Sequence, residues 1–182
     1  MIFQQTSIPG CFLIEPEPRY DERGAFARLF CTEEFAAQGI DFVPAQINRS
    51  HNIARHTLRG LHFQDPPHAE AKLVGVSKGA IFDVAVDLRP DSPAFRRWCA
   101  FELDAASGRQ VYIPEGCAHG FLTLGPGSEV SYVMGRHHVP GQAKGYRYDD
   151  PAFAITWPAA PDVIGQADLA WPAFSRQGPG RN

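Results

Sequence analysis

Glycine and proline punctuate this chain so often, 17 and 16 times in 182 residues, that long helical periodicity is scarce. What lies between them is a series of short stretches, and short stretches bounded by turn formers favour strands. The clearest is 80-AIFDVAVDLR-89. Phe82, Val84, Val86 and Leu88 fall on one face, and Ile81, Asp83, Ala85 and Asp87 on the other. It follows 72-KLVGVS-77, and Lys78-Gly79 reads as the turn joining the two as a hairpin. Further strands are expected at 12–16, 26–30, 58–64, 98–103, 110–114, 119–124 and 129–134. Turn signals at Pro90-Asp91-Ser92-Pro93, Ser107-Gly108 and Gly125-Pro126-Gly127 separate several of them. One helix is expected at 32-TEEFAAQG-39, with Thr32 as its N-cap, Glu33 and Glu34 in its first turn and Gly39 at its end. A second helical turn is expected near 166-QADLAW-171. The expectation is an all-β sandwich or barrel with a few short helices. It forms one domain over residues 1–174, and the polar tail at 175–182 is expected to fray.

Charge and cysteine usage narrow the function classes. A formal net charge of −3 offers neither a basic stripe for nucleic acid nor a polybasic membrane patch. No apolar run approaches the roughly 18–20 residues of a spanning helix, and the first residues show no secretory pattern. Cys11, Cys31, Cys99 and Cys117 make no C-x-x-C pair, so they read as reduced thiols in a cytoplasmic protein.

Two clusters carry chemistry. In 59-RGLHFQ-64, His62 and Gln64 share a strand face; Arg59 joins them only if Gly60 permits a bulge or bend. In 114-PEGCAH-119, Pro114, Gly116 and His119 form P-x-G-x-x-H, half of the metal-binding pattern of many cupin barrels. The other half, H-x-H followed by a glutamate with a glycine seven positions on, is altered. It reads His62-x-Gln64, with Lys72 seven positions before Gly79. An ammonium beside a divalent ion is electrostatically unfavourable, and two histidines alone are a poor ligand set, so no metal is expected. A fixed cation such as Lys72 can instead stabilise an oxyanion, and Tyr132 can donate a proton. Each residue also has a plain structural use: a packed core histidine, a surface lysine, a tyrosine in the barrel wall, a solvated Asp168.

The chain resembles the dTDP-4-dehydrorhamnose 3,5-epimerase family through 21-DERGAF-26, 46-QINRS-50, 58-LRGLHFQDPP-67, 70-EAKLVGVSKGAIFDVAVDLRPDSPAF-95, 112-YIPEGCAHGFLTL-124, 129-EVSYV-133, 145-GYRYDDP-151, 155-ITWP-158 and 168-DLAWP-172. The resemblance implies a cupin-like double-stranded β-helix (jelly-roll) barrel. It also implies inversion of the carbons beside the ketone of a nucleotide-linked 4-keto-6-deoxy sugar, with no metal and no other cofactor. On that likeness His62 is the base, Asp168 fixes its tautomer, Lys72 stabilises the enolate oxygen and Tyr132 delivers a proton from the opposite face. Arg23 and Arg59 match diphosphate contacts, Gln46 and Asn48 match nearby polar contacts, and Phe26, His119 and His138 match other substrate-binding positions. A homodimer sharing its N-terminal region is implied as well.

Three positions depart from the family. Arg28 stands where a glutamate usually contacts the nucleotide base, Val133 replaces a lysine after Tyr132, and His137-His138 replaces a tyrosine pair. The acid–base set is kept and the nucleotide end is altered. A 3-epimerase, an enzyme for another nucleotide, a metal-dependent cupin and a binding-only barrel are the competing readings.

Overall fold

The computed structural model describes residues 1–175; all but the first residue of the tail expected to fray lies outside them. Strands β1 (Ile2–Gln5) and β2 (Phe12–Glu15) pair as a hairpin, followed by a second, isolated hairpin of β3 (Arg19–Asp21) and β4 (Gly24–Phe26). Helix α1 (Thr32–Ala37) leads to β5 (Gln46–Asn52), β6 (Thr57–Gln64), β7 (Lys72–Lys78) and β8 (Ala80–Asp87). Then come β9 (Trp98–Asp104), β10 (Gln110–Ile113), β11 (Cys117–Thr123), β12 (Ser128–Met134), β13 (Ala143–Gly145), β14 (Val163–Ile164) and α2 (Gln166–Leu169).

Two sheets form the body, ordered β1-β2-β10-β7-β12-β5 and β13-β6-β11-β8-β9, with β14 alongside β6. Their facing sides enclose a core of Ile8, Leu13, Val74, Ile81, Leu103, Val111, Phe121 and Val130 among others. The expected all-β, cupin-like jelly-roll barrel is therefore what forms. Each sheet is also covered on its outside. Helix α1 and its flanks lay Phe35, Ile40 and Phe42 over the first sheet, where Phe35 and Phe42 meet Tyr112 edge-on. Residues after β13 lay Tyr146, Phe153 and Trp157 over the second. Double coverage explains the β8 pattern. Phe82, Val84 and Val86 meet the outer cover, while Ile81 and Ala85 enter the core with Asp83 and Asp87. Truncating a fully buried aromatic such as Phe35 to alanine typically costs about 3–5 kcal/mol.

Several local expectations are corrected. Strands β7 and β8 are not a hairpin: they lie in different sheets, and the chain crosses between them at Gly79. Gly79 has φ 76°, and a Cβ there would sit 2.5 Å from Ser128 Oγ, so the glycine serves a crossover rather than a tight turn. The strand expected over 26–30 ends at Phe26. Phe30 instead turns inward, its ring 4.9 Å from that of Phe35, as the chain bends into α1. Thr32 is not the cap of that helix; Cys31 takes the N-cap position with no side-chain hydrogen bond. Gly39, just past its end, does adopt the left-handed conformation at φ 74°. Strand β5 had no apolar alternation to reveal it, because its inward residues Asn48, Ser50 and Asn52 face the polar end of the barrel.

Candidate active site

One end of the barrel opens into a cavity of about 440 Å³ between the two sheets. The second sheet supplies Arg59 and His62 from β6 and His119 from β11; the first supplies Asn48, Ser50, Lys72 and Tyr132; the α2 region supplies Asp168 and Trp171. The sequence between β13 and α2 thus crosses the outside of the second sheet and returns to close one side of the mouth.

Strand β6 is bent to make this set. His119 pairs with His62 and Phe121 pairs with Arg59, so three steps on β6 match two on β11. That bulge at Gly60 turns Arg59 to the same side as His62, which regular alternation would prevent. Gly60 has φ 130°, and a Cβ there would stand 2.5 Å from the Cα of Gly120. No other residue fits.

His62 Nε2 lies 2.7 Å from Asp168 Oδ1, the imidazole side chain 38% exposed to the cavity and the carboxylate 13%. Asp168 also accepts the Gly60 amide N–H at 3.2 Å and the Trp171 indole N–H at 3.3 Å. Burial pushes its carboxyl upward, but the His62 hydrogen bond and charge, the Gly60 amide and the indole outweigh it. They hold the carboxyl below the ordinary aspartate value. The same aspartate therefore binds the histidine and pins the bulge that aims it.

Lys72, at the start of β7, is buried; its Nζ is 3.2 Å from Glu70 Oε1 and donates to the His62 carbonyl oxygen at 3.2 Å. Burial pulls the ammonium down, with Glu70 opposing. Glu70 also accepts from Gln64 Nε2. The altered metal-type positions thus form a network of amide, carboxylate and ammonium. Among the described residues no three His, Cys, Asp or Glu side chains group as metal ligands.

His119 is buried, with Nε2 2.7 Å from Asp83 Oδ1 on β8. Facing it from the first sheet is Tyr132, its ring 6.0 Å away and nearly perpendicular. The phenol oxygen is 3.3 Å from Ser50 Oγ. Burial pushes the phenol well above the ordinary tyrosine value, with the Ser50 hydrogen bond opposing. Arg59 Nε donates to Asn52 Oδ1 at 2.8 Å.

The remaining expected residues divide. Asn48 and His138 line the cavity, and Gln46 stands behind them. Its Nε2 donates to Asn48 Oδ1 at 2.9 Å, and its Oε1 accepts the His138 amide at 3.1 Å. Arg23 and Phe26 are not brought to the cavity. Both sit on the exposed β3–β4 hairpin, Phe26 77% exposed and Arg23 paired with Asp21. Arg28 is close by in sequence and paired with Glu34 at 2.7 Å. Residues missed from sequence are Glu70, Asp83, Ser50, Asn52 and Trp171. For Asp83 a signal existed: a carboxylate between Ile81 and Ala85 on a face otherwise destined for the core. The others look like ordinary polar strand or loop residues until the opposite sheet is in place.

The comparisons agree with this geometry. A sequence model of the family described as dTDP-4-dehydrorhamnose 3,5-epimerase matches residues 5–176. The dTDP-4-dehydrorhamnose 3,5-epimerase of Sinorhizobium fredii is 38% identical over 175 residues, 96% of this chain and 90% of that one. The crystal structure of the Bacillus anthracis dTDP-4-dehydrorhamnose 3,5-epimerase, with TDP and PPi bound, superposes with a TM-score of 0.91 at 35% identity. It covers 95% of this chain and 99% of that one. The 3'-monoepimerase ChmJ of Streptomyces bikiniensis, in complex with dTDP-quinovose, gives 0.85 at 32% identity, covering 92% and 85%. With the fold, the paired sheets and nearly the whole length in agreement, the chain belongs to the dTDP-4-dehydrorhamnose 3,5-epimerase family, isomerases acting on nucleotide-linked sugars.

Proposed function

We propose that residues 1–174 form a single catalytic unit that inverts C3 and C5 of a nucleotide-linked 4-keto-6-deoxyhexose. It would convert dTDP-4-dehydro-6-deoxy-D-glucose to dTDP-4-dehydro-L-rhamnose. The observation that carries this reading is the placement of His62 and Tyr132 on opposite sheets across one cavity. Inversion beside a ketone needs a base on one face of the sugar and an acid on the other.

In this reading His62 removes the proton, and Asp168, held ionised, stabilises the imidazolium that forms. Electrons move from the broken C–H bond into the enolate, whose oxygen faces the Lys72 ammonium. The buried ammonium is worth more there than in water. Tyr132 then protonates the carbon from the opposite wall. Arg59 holds the diphosphate with Asn48 and Gln46, His119 borders the sugar, and His138 lies toward the nucleoside. Before the second carbon is inverted, the His62 imidazolium gives its proton to water and the Tyr132 phenolate takes one from water; the sugar then turns within the same pair of groups. Neither a metal nor another cofactor enters the scheme.

Arg23 and Phe26 fit a cytoplasmic homodimer, in which the hairpin of one protomer reaches the nucleotide end of its partner's cavity. The exposed Tyr20 and Phe26 on that hairpin, Ile47 on edge strand β5 and Ile53 just past its end suit burial against a second copy. Arg28, engaged with Glu34, gives the nucleotide end a charge opposite to the family's.

An NMR time course in D2O with dTDP-4-keto-6-deoxyglucose, made in situ by a dehydratase, tests the function. Loss of both C3 and C5 proton signals with appearance of the L-sugar is expected. A 3'-monoepimerase shares this fold at a TM-score of 0.85, so inversion at C3 alone is the alternative outcome; loss of only the C3 signal would establish it. No exchange with this substrate, but exchange with another nucleotide's 4-keto sugar, would place the specificity at Arg28.

A further inference from the structure

Among the described residues Tyr132 has one side-chain hydrogen-bond partner at its phenol, Ser50, and Ser50 is the end of a chain. Arg59 Nε is 2.8 Å from Asn52 Oδ1. Asn52 Nδ2 is 3.1 Å from the Ser128 carbonyl oxygen and 3.3 Å from Ser50 Oγ. Ser50 Oγ is 3.3 Å from Tyr132 Oη. Asn52 is 2% exposed, so solvent does not scramble these contacts.

The chemistry of the groups fixes the direction of every link as far as Ser50. A guanidinium can only donate, so the amide oxygen of Asn52 must face Arg59 and its NH₂ must face the other two partners. That NH₂ gives one hydrogen to the Ser128 carbonyl, which can only accept, and the other to Ser50 Oγ. Ser50 Oγ then accepts from Asn52 and keeps its own O–H, which can donate to the phenol oxygen 3.3 Å away. With Ser50 as donor, the phenol oxygen accepts and its own proton is directed away from the wall and toward the cavity.

We infer that Ser50 and Asn52 are positioning residues forming a one-way hydrogen-bond relay from Arg59 to Tyr132, which aims the phenol proton at the substrate and stabilises the phenolate left when it departs. Each link donates toward the phenol, and the relay begins at a cation. Links that polarise one another in a low-dielectric site strengthen together. The contribution of Ser50 and Arg59 toward the charged phenolate, against burial, agrees with this direction. Resting on the function proposed above, in which Arg59 holds the diphosphate, the relay ties the arm that binds substrate to the group that completes the reaction.

Two measurements separate the relay from the functional reading. The first needs no substrate. Tyr132 is replaced by a fluorinated tyrosine whose phenol ionises in the neutral range, and its titration is followed by ¹⁹F NMR with Ser50 present or in S50A. Loss of the donor should raise the apparent ionisation by about one pH unit, the scale of a single hydrogen bond to a charged group, and S50T should restore it. An unchanged titration overturns the relay. The second uses native Tyr132 and the 4-keto sugar in D2O. S50A should slow epimerisation about tenfold, with KM and the exchange of substrate protons held near wild type. N52A should act in the same sense. Exchange and epimerisation falling together would mean that Ser50 only supports the wall, and would overturn the relay. A shifted titration in an enzyme whose wild type neither exchanges nor epimerises this sugar would sink the functional reading and leave the relay standing.

Discussion

The two walls of the cavity are built on opposite electrostatic plans. On the second sheet both histidines are backed by aspartates at the same 2.7 Å separation, His62 by Asp168 and His119 by Asp83. On the first, Tyr132 is backed by a neutral hydroxyl at 3.3 Å, and no carboxylate among the described residues bonds to it. A group that takes up a proton becomes positive and is served by a fixed negative charge. A group that gives one up becomes negative and is served by donors. The two walls thus suit charges of opposite sign, as the proposed transfer across a sugar requires.

The largest effect should come from removing the proton acceptor. His62→Ala is expected to lower both epimerisation and solvent exchange by about 10³–10⁴-fold, the scale of a lost general base. Near-normal exchange in that variant would assign the base elsewhere and break the comparison. Tyr132→Phe comes next, with epimerisation reduced about 10²–10³-fold while substrate protons still exchange with D2O. If both processes vanished together, the phenol would have a part in deprotonation as well. Asp168→Asn should cost about 10–100-fold, since the imidazole remains but its charged form loses its partner. A rate equal to wild type would remove Asp168 from the dyad.

The smallest effect concerns stability. The folded Asp168 carboxyl titrates below its ordinary value, near 4 for an unperturbed aspartate (about 3.9). Its contribution to stability is therefore present above that ordinary value and is lost as pH falls through the folded one. Melting temperatures of wild type and Asp168→Asn should differ most near neutrality and converge below about pH 4. A constant gap across that range would mean that the carboxylate's charge contributes nothing to folding.

Much of the barrel was legible because central strands declare themselves. The alternation in 80–89 placed Asp83 and Asp87 opposite Phe82, Val84 and Val86, and the structure keeps that division. Sheet membership was not legible. Gly79 permits a turn within one sheet or a crossing to another, and only packing against Ser128 selects the crossing. Strand β5 was hidden for a related reason: Asn48 and Ser50 line the cavity and Asn52 is buried among polar partners, so the apolar half of the pattern is missing. Within the site, His62, Lys72, His119 and Tyr132 stood out through their motifs, and all line one cavity. Their partners Glu70 and Ser50 did not, because a polar side chain has the same local signature whether it meets solvent or another sheet. Arg23 and Phe26 carry motif-level signals too, yet lie away from the cavity of their own chain. Sequence likeness picks out such residues without saying where the fold will place them.

The His62–Asp168 pair joins positions 106 residues apart, and its second half arrives after nearly all of the strands have been made. During synthesis on the ribosome, a barrel can assemble from β1 through β13 while its proposed base still lacks its carboxylate. On the proposed scheme a nascent or clipped chain without α2 would hold its base without the carboxylate partner, and docking of the last short helix would complete the pair.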